Sequence, residues 1–163
     1  MLECPALSAT VSYPELSGRR AVVTGAATGI GRAIARALAR QSIRVAVCDL
    51  NLPEAEKVAA EIGGSAFAID VRKRAAVETA IAEVEKAFGG IDILVPNAGI
   101  FGQHAHIKDC PIDSLNQVLQ VNVTGVVITM KHAIPYMIAR GGGAIVITSS
   151  VGAIPVCTPT LKV

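Results

Sequence analysis

Three glycines within seven residues, Gly25, Gly29 and Gly31, come closely after the apolar run Ala21-Val22-Val23. No other stretch restricts the fold of the chain so strongly. The run is β-prone and free of polar interruption. Beyond the glycines, Ile30, Ile34, Ala37, Leu38 and Gln41 are spaced to form one stripe of a helix. A strand that empties into close-set glycines and then a helix lets a ligand approach bare backbone, and the free N–H groups at the helix start favour a negative charge. A dinucleotide pyrophosphate fits such a turn. A tight turn with no ligand satisfies the same pattern.

Context separates the two. Ile43-Arg-Val-Ala-Val-Cys48 reads as a second strand, and Asp49 stands at its end, eighteen residues after Gly31. An acidic side chain at that place can accept hydrogen bonds from an adenosine ribose.

The pattern then repeats along the chain. Pro53 opens a helix carrying Val58, Ala59 and Ile62, closed by Gly63-Gly64, and Ser65-Ala-Phe-Ala-Ile69 forms a third strand with Asp70 directly after it. A helix over Arg74–Phe88 places Val77, Ile81, Val84 and Phe88 on one side and stops at Gly89-Gly90. Ile91–Val95 is the fourth strand, and Ala144–Thr148 the fifth. Strands alternating with helices at this interval predict an α/β fold with right-handed crossovers and a parallel sheet covered on both faces. Ligands on such sheets sit beyond the C-terminal strand edge. The residues there are Gly25, Asp49, Asp70, Pro96-Asn97-Ala98-Gly99 and Ser149-Ser150.

Between strands four and five the sequence predicts one long helix from Pro111 toward Arg140, with the stripe Ile112, Leu115, Leu119, Val126, Met130 and Ala133. Asn122 falls at the same phase. An amide on a core-facing stripe costs about 1 to 3 kcal/mol unless it finds a partner. A satisfied structural amide and a functional one both answer that demand. Upstream, the loop Ile100–Asp109 holds His104 and His106, with Cys110 beyond. Two histidines on such a loop are more often solvated than zinc ligands, and no metal is expected.

Composition excludes several classes. A 163-residue chain is long enough for one domain that buries roughly 68 to 70% of its unfolded surface. Residues 1–17 read as a loose N-terminal arm and 18–163 as the nucleotide-binding domain. A net charge of +2 from scattered Lys and Arg provides no basic face, and two Tyr and three Phe provide few stacking platforms, so nucleic acid is not an expected partner. No apolar run approaches the ~20 residues of a membrane span, and the first eighteen residues lack the charged start and apolar core of a secretory signal. Cys4, Cys48, Cys110 and Cys157 have no CxxC spacing, which suits a soluble protein of the reducing cytoplasm.

At several separated places the chain resembles the short-chain dehydrogenase/reductase family. Thr24-Gly25-x-x-x-Gly29-Ile30-Gly31 is similar to its cofactor turn, Asp70-Val71 to its adenine contact, and Asn97-Ala98-Gly99 to its Asn-Asn-Ala-Gly motif. Asn122 and Ser150 stand where the family has its catalytic asparagine and serine. The resemblance implies a Rossmann-like, doubly wound parallel sheet in the strand order 3-2-1-4-5, and hydride transfer between a nicotinamide and a small alcohol or carbonyl substrate. It implies a cofactor site of Gly25, Thr28, Gly29, Ile30, Gly31, Asp49, Leu50, Asp70, Val71, Asn97, Ala98 and Gly99. Asp49, with no basic residue at Thr28 or Asn51, points to NAD rather than NADP, since a carboxylate repels a 2'-phosphate. A homo-oligomer is expected for the full-length parent.

Two departures accompany the resemblance. Pro96 replaces the first asparagine of Asn-Asn-Ala-Gly, removing an amide and an N–H donor. The family's Tyr-x-x-x-Lys would begin at position 163, which is Val163. Tyr136-Met-Ile-Ala-Arg140 imitates that motif but precedes the fifth strand, so Tyr136 reads as structural. The last strands of the family fold are accordingly expected to be missing, leaving the fifth strand as an open apolar edge that invites association. The sequence is compatible with three readings: the N-terminal part of an NAD-dependent oxidoreductase, a catalytically silent NAD-binding form that pairs with full-length subunits, or a fragment without function.

Overall fold

A computed structural model describes residues 12–103 and 105–150. Its core is a five-stranded sheet in the order β3-β2-β1-β4-β5, the order that the resemblance implies. The strands are β1 (Arg20–Thr24), β2 (Arg44–Asp49), β3 (Ser65–Ala68), β4 (Ile93–Val95) and β5 (Ala144–Ile145). Every neighbouring pair is parallel, so all C-terminal strand ends share one edge.

Helices cover both faces, as parallel strands require. Alternation along β1 shows why: Ala21 and Val23 join one buried cluster, and Val22 joins the other. The first cluster lies under α1 (Gly29–Arg40) and α2 (Leu52–Ile62). The second lies under α3 (Arg74–Phe88) and α5 (Gly125–Ala139). Val77, Ile81, Val84 and Phe88 of α3 are all buried, as their spacing predicts. Both α2 and α3 end on a glycine in the left-handed region, Gly63 and Gly89.

Two stripes differ from the expectation. On α1, Ile34 and Leu38 of the expected stripe pack against the cluster, but the fully buried residues are Gly31 and Ala35, and Ile30 is 65% exposed. Small side chains face the sheet because the helix sits close to it. The long helix from Pro111 is in fact α4 (Ile112–Leu119), a π turn (Gln120–Thr124) and α5. A π turn holds one extra residue and rotates the helix after it by about 100°. The buried face therefore runs through Val121, Gly125, Thr129, Ala133 and Met137. Ile112, Leu115, Leu119, Val123 and Val127 are exposed on the opposite side. Pro135 lies within α5 without ending it.

β5 is shorter than the expected Ala144–Thr148, and Pro96 is the reason. The amides of Ala144, Val146 and Thr148 still donate to the carbonyls of Asp92, Leu94 and Pro96. The return bonds come from alternate β4 amides, and in this register the next donor after Leu94 is Pro96, which has no N–H. The ladder is one-sided from there on.

At the opposite edge of the sheet, Asp92 is buried with Arg20. Arg20 Nη2 donates to Asp92 Oδ1 at 2.8 Å and the Arg20 amide to Oδ2 at 2.9 Å. The expected loose arm is tied down at its described end: the Tyr13 amide donates to Gln41 Oε1, and Leu16 packs against the α1–α2 cluster. Among the described residues, no helix is long and apolar enough to cross a membrane. The expectations for Val151–Val163 lie outside the described residues.

Candidate functional site

β1 ends in Thr24, whose side chain is buried. Its Oγ1 accepts from the amides of Asn97 and Ala98 at 3.0 and 3.1 Å. In return, Asn97 Nδ2 donates to the carbonyls of Thr24 and Gly25 at 3.0 and 3.2 Å. These four bonds lock the segment after β4 to the start of the glycine turn.

The three glycines have separate reasons to be glycine. A Cβ on Gly31 would overlap the Gly25 carbonyl oxygen and come within 2.5 Å of Asn97 Nδ2. A Cβ on Gly25 would stand 2.8 Å from the Ala98 Cα. Gly29 instead has φ +54° and open space over it. It leads into α1, whose cap residue Thr28 makes no side-chain cap bond and whose first turn carries no acid. The outcome is a closed turn that presents uncovered backbone beside uncapped amides, the arrangement that accommodates a phosphate.

Asp49 completes the turn from β2. Its Oδ2 accepts from the Ala27 amide at 2.9 Å and its Oδ1 from the Asn51 amide at 3.0 Å. One carboxylate thus braces the glycine turn and the entry to α2. Leu50 and Ile30 are 66% and 65% exposed. Cys48, fully buried beneath Asp49, has its thiol pushed up to about 12 by burial, which leaves it an inert apolar group.

One strand further out, the Ile69 amide donates to the Asp49 carbonyl at 2.9 Å, bringing Asp70 to the same edge. Arg72 grips the Asp70 carboxylate, with Nε on Oδ1 and Nη2 on Oδ2, both at 2.8 Å. That contact holds the carboxyl below its ordinary range. Val71 is buried, and its side chain packs on Gly125, whose Cβ would come within 2.9 Å of it.

Across the edge, Gly99 lies beside Asn122: a Cβ there would stand 3.5 Å from Oδ1. Asn122 is exposed and does not face the core as its place on the stripe predicted; its side chain accepts from the Ile100 amide at 2.9 Å and donates to the Ile100 carbonyl at 3.0 Å. Ser114 Oγ accepts from the Gln103 amide at 2.8 Å, so the loop after Gly99 is pinned twice, with Phe101 between the pins and 95% exposed. Ser150 lies beyond the one-sided ladder of β5 and is exposed. Among the described residues no group of three His, Cys, Asp or Glu is placed to hold a metal, and His104 is not described.

The structure therefore brings Gly25, Thr28, Gly29, Ile30, Gly31, Asp49, Asn97, Ala98, Gly99 and Asn122 to one edge, with Leu50 and Asp70 flanking and Ser150 at the β5 end. Reading the sequence alone puts Thr24 in the cofactor turn without a role for its hydroxyl, and misses Arg72 and Ser114 as site-building residues. The hydroxyl directly before the glycines signals Thr24, and the Asp-x-Arg spacing signals Arg72. Ser114 has no sequence signal of its own.

The family model described as short chain dehydrogenase matches residues 19–158. A sorbitol dehydrogenase of Cereibacter sphaeroides is 42% identical over 134 residues, which is 81% of this chain and 52% of that protein. A solved structure of an NAD+-bound xylitol dehydrogenase superposes with a TM-score of 0.81 at 36% identity, covering 86% of this chain and 56% of that one. The NADH complex of a 3-ketoacyl-(acyl-carrier-protein) reductase from Brucella melitensis gives a TM-score of 0.81 at 34% identity, covering 85% and 60%. The chain spans about half the length of the curated relatives it matches.

Proposed function

The chain belongs to the short chain dehydrogenase family of oxidoreductases, and from that premise we propose that it carries the NAD-binding half of an enzyme that interconverts a small alcohol and its carbonyl. The observation that carries this reading is the closed glycine turn: Gly25 and Gly31 packed on Asn97 and Ala98, Gly29 open, and Asp49 bonded to the Ala27 amide. Those residues would hold the pyrophosphate and the adenosine ribose of NAD. When bound, the nicotinamide supplies or takes the hydride.

The remaining roles fall to this chain's own groups. Ser150 at the β5 end would hydrogen-bond the substrate oxygen. Asn122 has both side-chain polar atoms committed to Ile100, so its contribution to a water would come from its backbone carbonyl in the π turn. Its side chain is thus the satisfied amide, and its main chain the functional group. Tyr13 and Tyr136 both precede β5, and Tyr136 packs against the α3–α5 cluster, so neither is assigned a proton-transfer role. The exposed stripe Ile112, Leu115, Leu119, Val123 and Val127 supports an oligomer.

Isothermal titration of the chain with NAD and NADP, beside a dehydrogenase assay on polyols and alicyclic alcohols, tests this. Binding of NAD without turnover is the expected result. No affinity for either dinucleotide would refute it.

A further inference from the structure

Pro96 is fully buried directly after β4, at the step where β5 needs a donor from its neighbour. The amides of Val146 and Thr148 donate to the Leu94 and Pro96 carbonyls at 2.9 and 3.2 Å. The bonds in the other direction stop. In this register the Val146 carbonyl comes opposite the ring nitrogen of Pro96, which carries no hydrogen. One step on, the Thr148 carbonyl needs the Ala98 amide, which is committed to Thr24 Oγ1 at 3.1 Å. Two successive carbonyls on the β4 side of β5 thus lack their ladder donor, and that side is one only β4 can serve.

The other end of β5 is held firmly. Gly143 lies so close to β4 and α5 that a Cβ there would come within 2.5 Å of both the Asp92 carbonyl oxygen and Met137 Cε. The Ala144 amide donates to that same Asp92 carbonyl at 2.9 Å, and just upstream Arg140 Nη1 donates to the Gly89 carbonyl. A strand fixed at its start and tethered in one direction at its end pivots about the start. Ser150 stands on the moving end, two residues past Thr148. We propose that Pro96 is a specificity-determining residue: by withholding one ladder donor it lets the end of β5 shift, so that the Ser150 hydroxyl settles on the oxygen of alcohols of different size instead of being set by the sheet. This rests on the reading of Ser150 as the contact for the substrate oxygen. A neutral hydrogen bond moves an opening equilibrium by roughly two- to tenfold, enough to decide whether such an end adapts or stays put.

The test joins amide exchange in this chain to kinetics of the full-length parent, each with Pro96→Ala and Pro96→Asn, which restore the N–H and differ in side chain. In the chain, the new amide at position 96 should be protected, and exchange at Val146 and Thr148 should slow by roughly two- to tenfold relative to Val22 and Val23 of β1. Those β1 amides correct for the change in overall stability that replacing a proline brings. In the parent, both variants should keep the KM for NAD and widen the ratio of kcat/KM between a linear polyol and an alicyclic alcohol by about threefold or more. An unprotected amide at position 96, or unaltered exchange at Thr148, overturns the pivot. Slowed exchange with an unaltered ratio overturns the role in specificity alone. Full turnover in Ser150→Ala overturns that role together with the assignment of Ser150.

Discussion

Asn122 and Ile100 are joined twice, the side-chain amide of one spanning both backbone groups of the other at 2.9 and 3.0 Å. The arrangement copies one rung of a sheet ladder between a π turn and the loop that leaves β4. It fixes the loop relative to the helix at the residue next to Gly99.

Asn122→Ala should therefore free the loop. Two hydrogen bonds of roughly 0.5–1.5 kcal/mol each are lost in a partly solvated place, so urea unfolding should show a loss of about 1–2 kcal/mol. Hydrogen exchange at the Ile100 amide should quicken by more than exchange in β1. Equal quickening in both would mean that the bond supports the fold generally and has no local role.

Gly29 and Gly31 should respond oppositely to the same change. Gly31→Ala drives a methyl into the Gly25 carbonyl and the Asn97 side-chain amide, and overpacking of this kind costs roughly 2–3 kcal/mol. Gly29→Ala meets open space and bears only the left-handed φ of +54°, about 1 kcal/mol. The second variant should stay folded by circular dichroism yet lose most of its NAD affinity, because the methyl covers the backbone on which the phosphate would rest. Retained affinity in Gly29→Ala would place the ligand elsewhere.

The strands are legible in the sequence because they are short apolar runs set between helical stripes, a signal that is local and repeats, whereas their order in the sheet comes with the family resemblance. The rotation of the helices is not legible. Hydropathy weights Ile30 over Gly31 and Ala35, whereas the sheet selects small residues where a helix must approach closely. At Gln120–Thr124 one extra residue in the turn shifts the phase, so Val123 and Val127 face outward while Thr129 is buried. No residue in that stretch breaks a helix, and the π turn has no composition to betray it. Asn122 reads as an amide on the core-facing stripe, whereas the shifted phase leaves it exposed, bonded to a backbone group twenty-two residues away.

Acid should weaken the fold through Asp92. Its hydrogen bond with Arg20 holds the carboxyl below the ordinary range, while the unfolded chain titrates near about 3.9. A depressed folded value means that the unfolded state takes up the proton first, so this stability is complete above pH ~4 and fades as pH falls through the folded value. Asp92→Asn should be destabilised at pH 7 by roughly 3 kcal/mol, since Arg20 is left without its counter-charge in a mostly buried place. The gap from wild type should narrow as pH falls below ~4. A gap constant from pH 7 to about pH 3 would assign the loss to packing rather than to the ion pair.

Asp49 should decide between the two nicotinamide dinucleotides by charge. Both of its oxygens accept backbone amides, Ala27 at 2.9 Å and Asn51 at 3.0 Å, yet each retains a lone pair for a ribose hydroxyl. A 2'-phosphate brought to the same place meets a fixed negative charge. Two charges about 4 Å apart repel by about 4 kcal/mol at an effective dielectric near 20, and the half-exposed position of Asp49 reduces this to about 1–2 kcal/mol. Asp49→Asn keeps an acceptor for the turn amide and removes the charge. The ratio of NADP to NAD affinity should then rise about tenfold, with the rise smaller in about 1 M salt than at low ionic strength, because ions screen the wild-type repulsion. Titration of both dinucleotides at two salt concentrations measures it. A ratio that moves equally at both concentrations would show that shape, and not charge, excludes the phosphate.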